Sequence, residues 1–159
     1  MRSILQNKFD EFLEILKYDK TKWLDFWKSY RKKFGPIVFS YEKAHNLNDE
    51  RIEKILQSFS RAFLDSLKQR WEEIKHQGKR KVALELRKRS EELQLSKKDF
   101  VVFLFGGLGL SVSTVVEGLK EKVILIDLVK VWKDGKLEKL ERIVLESVKN
   151  FRKGDVYGG

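Results

Sequence analysis

Two groups of residues have types and spacings that suggest chemistry. The first is "FLFGGLGLS", residues 103 to 111, where three glycines follow an apolar run, and Asp127 stands 18 positions after Gly109. Glycines at the end of a strand let backbone amides approach a phosphate, and an acid further on can hold a ribose hydroxyl. The second is "KQRWEEIKHQGKRKVALELRKRSEEL", which carries Lys79, Arg80, Lys81, Arg87, Lys88 and Arg89. Cations clustered on a helix can neutralise nucleic-acid phosphates, and Trp71 with Arg80 and Arg87 would add stacking. Within residues 68 to 89 nine basic side chains face three acidic ones, so much of the net charge of +10 is concentrated there.

Neither group forms a complete catalytic set. The dinucleotide pattern requires a small residue where Val112 stands, "SVSTVV" is rich in β-branched residues that start a helix poorly, and no Gly-Lys-Ser/Thr occurs. Only 32 residues follow Asp127, too few for the rest of a doubly wound sheet. The 17 uncharged residues from Phe100 to Val116 approach the length of a membrane span. Three glycines, three hydroxyl side chains and no interfacial Trp or Tyr argue instead for buried strands, and no membrane insertion is expected. Cysteine is absent and histidine occurs twice, at His45 and His76, each between polar or charged neighbours and each expected to be solvated or hydrogen-bonded.

The elements that must position these residues follow from periodicity. Leu5, Phe9, Phe12, Leu13 and Leu16 have helical spacing, and a second helix is expected from about Thr21 to Phe34, stopped by Gly35-Pro36. "IVFSY", residues 37 to 41, fits either a short strand or an irregular connection. Asn48 or Asp49 caps a long third helix with the stripe Ile52, Ile55, Leu56, Phe59, Phe63, Leu67, Trp71 and Ile74. That pattern either continues through Gly78 or breaks there, and a break or kink is expected. "FVVFLF" and "KVILIDLVKVW" have strand composition, "STVV" adds a shorter strand, and "KDGK" turns into a last amphipathic helix before the tail "RKGDVYGG". The expected fold is one α+β domain over residues 1 to 159. A mainly helical part (1–95) packs on a small antiparallel sheet and a C-terminal helix (100–151), with a tail at 152–159.

The strand "VVFLFGG", the small-residue turn, the strand "KVILIDLVKV" and the following charged helix resemble the core of predicted zinc-dependent proteases of the zincin class. In that class the helix carries H-E-x-x-H, whose histidines bind zinc and whose glutamate activates the metal-bound water. Here the matching stretch reads Leu145-Glu146-Ser147-Val148-Lys149. The glutamate is present, but leucine and lysine replace both ligands. The resemblance therefore implies an inactive, metal-free version of that architecture, a non-catalytic binding or structural module with no cofactor, no stoichiometric zinc and no peptidase activity. Arg142–Glu146 and Glu146–Asn150 are read as i,i+4 pairs on a solvated face. The alternative function is nucleic-acid binding through the 68–89 cluster. The start "MRSILQNKFDEF" lacks the apolar run of a signal peptide, so the expected location is the cytoplasm. The Lys/Glu-rich, Cys-free composition is similar to that of heat-adapted proteins.

Overall fold

A computed structural model describes residues 4–156. The chain is α+β, with a mixed four-stranded sheet surrounded by helices. β1 (Leu5–Asn7) is followed by the short α1 (Phe9–Phe12), two 3₁₀ turns (Leu13–Lys17 and Lys20–Lys22), α2 (Trp23–Phe34), α3 (Pro36–Ala44), α4 (Asp49–Ser58) and α5 (Arg61–Lys88). The second half holds β2 (Phe100–Phe105), β3 (Ser113–Glu117), β4 (Lys122–Asp127), α6 (Leu128–Lys133) and α7 (Leu140–Val156).

The strand order is β1-β2-β4-β3. β2 pairs parallel to both β1 and β4, and only β3 runs antiparallel, against β4. The antiparallel sheet expected from the sequence is thus confined to one hairpin. All six residues of β2 are buried, as are all of β4 except Lys122. Strands covered on both faces read as continuous apolar runs, which is why "FVVFLF" shows no alternation.

Further expectations are corrected. The amino-terminal segment is not one helix: Leu5–Asn7 forms an edge strand whose neighbours Ile4 and Lys8 bond β2 through Val102 N→Ile4 O (2.7 Å) and Lys8 N→Leu104 O (2.8 Å). The open edge of β2 wins those residues from local helical preference. Residues 37 to 41 lie in α3, with Pro36 in its first turn and Val38, Tyr41 and Glu42 buried. The third helix breaks at Phe59 rather than Gly78, because Ser60 adopts an extended conformation and its hydroxyl accepts from Phe63 N (3.0 Å), capping α5. α5 then runs unbroken through Gly78: the penalty of one interior glycine, about 1 kcal/mol, is outweighed by the strong helix formers on either side. Asn48 caps α4 as the sequence allowed, accepting from Arg51 N at 2.9 Å.

The segment from Arg152 onward is not a tail throughout, since α7 continues to Val156; residues 157–159 of the expected tail lie outside the described residues. Arg152 is buried and donates Nε to Leu93 O (2.6 Å), both terminal nitrogens to the Asp99 carboxylate (2.7 Å each), and one of them to Gln94 O (2.9 Å). Its guanidinium lies over Phe100 and Phe151 and holds the Asp99 carboxyl below the usual carboxylate range. "KVILIDLVKVW" divides at Asp127, strand before it and helix after it. Among the described residues no helix is long and apolar enough to cross a membrane.

Candidate functional site

The glycine turn is the first candidate. β2 and β4 run parallel, so Phe105 and Asp127 are register partners at their carboxyl ends and the 106–109 turn lies over Asp127. Gly107 N donates to Asp127 Oδ1 (3.1 Å) and Gly109 N, in a turn with φ of +72°, donates to Oδ2 (2.8 Å). Val129 N (2.9 Å) and Lys130 N (3.4 Å) reach Oδ1 from the first turn of α6. Leu108 N donates to the Tyr41 hydroxyl (2.9 Å), which lies beside the Asp127 carboxylate. The amides that a phosphate would require are therefore taken by an internal carboxylate. Burial pushes the Asp127 carboxyl up to about 6 although four amides favour its charged form, and burial also raises Tyr41 and Tyr30. Asp127 closes the turn from within.

The histidines behave as their sequence neighbours suggested. His76 is exposed. His45, at the end of α3, hydrogen-bonds through Nε2 to Thr114 Oγ1 (3.0 Å), which contacts Ser111 Oγ (3.2 Å). Ser111 Oγ also lies 3.2 Å from Ser113 O. Ser111 can donate to Ser113 O and accept from Thr114, with Thr114 accepting from His45 Nε2–H; the reverse order, Ser111 donating to Thr114 and Thr114 to an unprotonated Nε2, fits the same distances. Both orders use a neutral imidazole and differ in its tautomer. Burial lowers its pKa, which favours this neutral form. Nothing in single-residue spacing pointed to this chain, since α3 meets β3 only in the tertiary fold.

The positions matching the zincin ligands do not share a site. Leu145 is buried in the core, and Lys149 Nζ lies 4.0 Å from a Glu92 carboxylate oxygen. Glu146 points instead into a cleft of about 370 Å³ that also takes in Val112, Ser113, Lys136, Lys139, Arg142 and Asn150. The expected Arg142–Glu146 and Glu146–Asn150 pairs do not form; among the described residues Glu146 makes no ion pair or side-chain hydrogen bond. No group of three or more His, Cys, Asp or Glu able to hold a metal occurs among the described residues.

The basic cluster is divided by the structure. Arg80, Lys81, Arg87 and Lys88 are exposed on α5. Lys79 is half-buried on the flank beside Val82, and Arg89 lies beyond the last turn, between Glu85 (3.9 Å) and Glu92 (3.3 Å). Lys88 approaches Glu85 at 3.8 Å across an exposed pair, a geometry that contributes little stability. Lys79, Arg80, Lys81 and Arg87 have no acidic partner among the described residues. Trp71 cannot stack on a base. It is fully buried, donates its indole N–H to Asp10 Oδ1 (2.9 Å), and packs edge-on against Phe9.

Comparison with known proteins gives no match, either to a family model, to a curated protein or to a solved structure.

Proposed function

We propose that this chain is a non-catalytic binding module in which a degenerate zincin-like core serves as scaffold and the exposed face of α5 engages nucleic-acid phosphates. The observation that carries the reading is the set of cations on that face. Arg80, Lys81 and Arg87 are exposed on one continuous helix and have no acidic partner among the described residues. Elsewhere on the same helix Lys68, Arg70 and Lys75 are each paired with a carboxylate. Unpaired guanidinium and ammonium groups on a rigid element are the means by which a protein displaces counterions from a polyanion.

Asp127 is enclosed by backbone amides, and among the described residues no group of three or more His, Cys, Asp or Glu able to hold a metal accompanies Glu146.

The test is a salt titration of binding to nucleic acid, with wild type compared with the triple variant Arg80→Gln, Lys81→Gln, Arg87→Gln. All three side chains are exposed, so the variant is expected to fold with unchanged circular dichroism. Wild-type affinity should fall steeply between 50 and 200 mM salt. In the variant the slope of log K against log salt should be shallower by about 2.7, roughly 0.9 for each duplex phosphate no longer neutralised. Absence of binding to any DNA or RNA at 50 mM salt would eliminate the reading.

A further inference from the structure

The arrangement of the α5 cations within their exposed face identifies a kind of nucleic acid. At about 100° per residue, Arg80 and Arg87 fall within about 20° of each other, and so do Lys81 and Lys88. The two rows are about 100° apart, and Leu84, which is 45% exposed, lies on the midline between them. Within each row the cations are seven residues, about 10 Å, apart along the axis. Extended side chains would place the rows about 12–14 Å apart at their tips, close to the width of about 12 Å of the major groove of B-form DNA. An apolar side chain at the centre of a helix in that groove meets base edges, where the thymine methyl is the matching group.

Two other forms of nucleic acid fit less well. Proteins that hold single strands depend on exposed aromatic platforms. No Phe, Trp or Tyr occurs between Trp71 and Phe100, and Trp71 is buried. The major groove of an RNA duplex is too deep and narrow for a helix to enter. The footprint is also bounded. Glu73, paired with Arg70, lies on the same face just before Gln77, and Glu91 and Glu92 follow Arg89. This leaves about 16 Å of helix, the length of about five base pairs.

We propose that α5 seats in the major groove of duplex DNA, with Arg80 and Arg87 against the phosphates of one strand, Lys81 and Lys88 against those of the other, and Leu84 toward the base edges. This rests on the reading of α5 as the nucleic-acid face. Fluorescence anisotropy with a labelled 16-base-pair DNA duplex, the RNA duplex of the same sequence and the single DNA strand, all at 50 mM salt, tests it. The DNA duplex should bind at least tenfold tighter than the other two, with a log–log salt slope between about −2.7, for the three unpaired cations, and about −3.6, when Lys88 leaves its exposed pair with Glu85 for a phosphate. Methyl green, a major-groove ligand, should compete, and netropsin, a minor-groove ligand, should not. Leu84→Glu should weaken binding at least tenfold without changing the circular dichroism spectrum. Equal or tighter binding of the RNA duplex or the single strand, or displacement by netropsin, overturns the groove assignment and leaves the broader reading standing. Binding to anionic phosphatidylserine vesicles with none to nucleic acid overturns both.

Discussion

Replacing Asp127 by alanine is expected to destabilise the protein by about 4 kcal/mol or more, read as a fall in the urea or thermal midpoint. One carboxylate accepts from four backbone amides beside the Tyr41 hydroxyl, all at a residue only 2% exposed. Each buried donor left without an acceptor costs about 1–3 kcal/mol. Part of that loss is offset because an ionised group no longer has to be desolvated. Asp127→Asn should lose about half as much. An amide oxygen in the place of Oδ1 retains Gly107, Val129 and Lys130, while the new NH₂ faces the Gly109 amide donor to donor. Equal stability of Asp127→Ala and wild type would show that the carboxylate does not hold the turn.

The same residue gives the stability a pH dependence of defined sign. Its carboxyl titrates at about 6 when folded and near 3.8 when unfolded. Between those values the folded chain holds a proton that the unfolded chain has released. Stability from this group is therefore greatest below about 3.8 and declines as pH rises toward 6, by up to about 3 kcal/mol. The lowered pKa of His45 acts in the opposite direction, because the unfolded imidazole takes up its proton first as pH falls. Urea midpoints at pH 4.5, 5.5 and 6.5, compared between His45→Gln and the double variant His45→Gln, Asp127→Asn, isolate the Asp127 contribution from the depressed Asp49 and Asp99 carboxyls, and the advantage of the single variant should be largest at pH 4.5.

Gly106→Ala is expected to cost about 3 kcal/mol, near the upper end for overpacking, and to lower the cooperativity of unfolding. A Cβ at this position would overlap the Phe12 side chain. Phe12 cannot withdraw, since it is fully buried and packed against Phe9, Phe26 and Tyr30. The Gly106 carbonyl is also fixed by Tyr30 Oη (3.0 Å), so the backbone cannot retreat without breaking a buried hydrogen bond. Gly135→Ala provides the contrast. Nothing lies within 4 Å of its added Cβ, and its effect is limited to the strain of a turn with φ of +69°. A Gly106→Ala variant as stable as wild type would mean that Phe12 and the turn are loosely packed.

The residues that determined their own structure are those whose signal is local. Asn48 capped a helix as its side chain requires, the helical spacing of Trp23, Trp27 and Tyr30 in α2 put all three in the core, and the uncharged run at 100–105 became a buried strand. Composition and element order were enough for the α+β class. The rest depended on partners distant in sequence. Leu5–Asn7 became a strand only because the β2 edge was available, "IVFSY" became helix because α3 packs against β3 in spite of its β-branched residues, and the parallel pairing of β2 and β4 required β3 to fold to the outside. The sequence placed Asp127 18 residues after Gly109, but that spacing is the same for an acid that binds a ligand and one that fills the ligand's place. The parallel register decided between them by setting the carboxylate under the turn amides, where burial in a low dielectric leaves no donor unsatisfied. The basic residues of α5 were legible as a cluster. Which of them are free depended on helix continuity through Gly78 and on where Glu85, Glu92 and Glu138 fell in space, because charge pairing is set by distance across the fold and not by order along the chain.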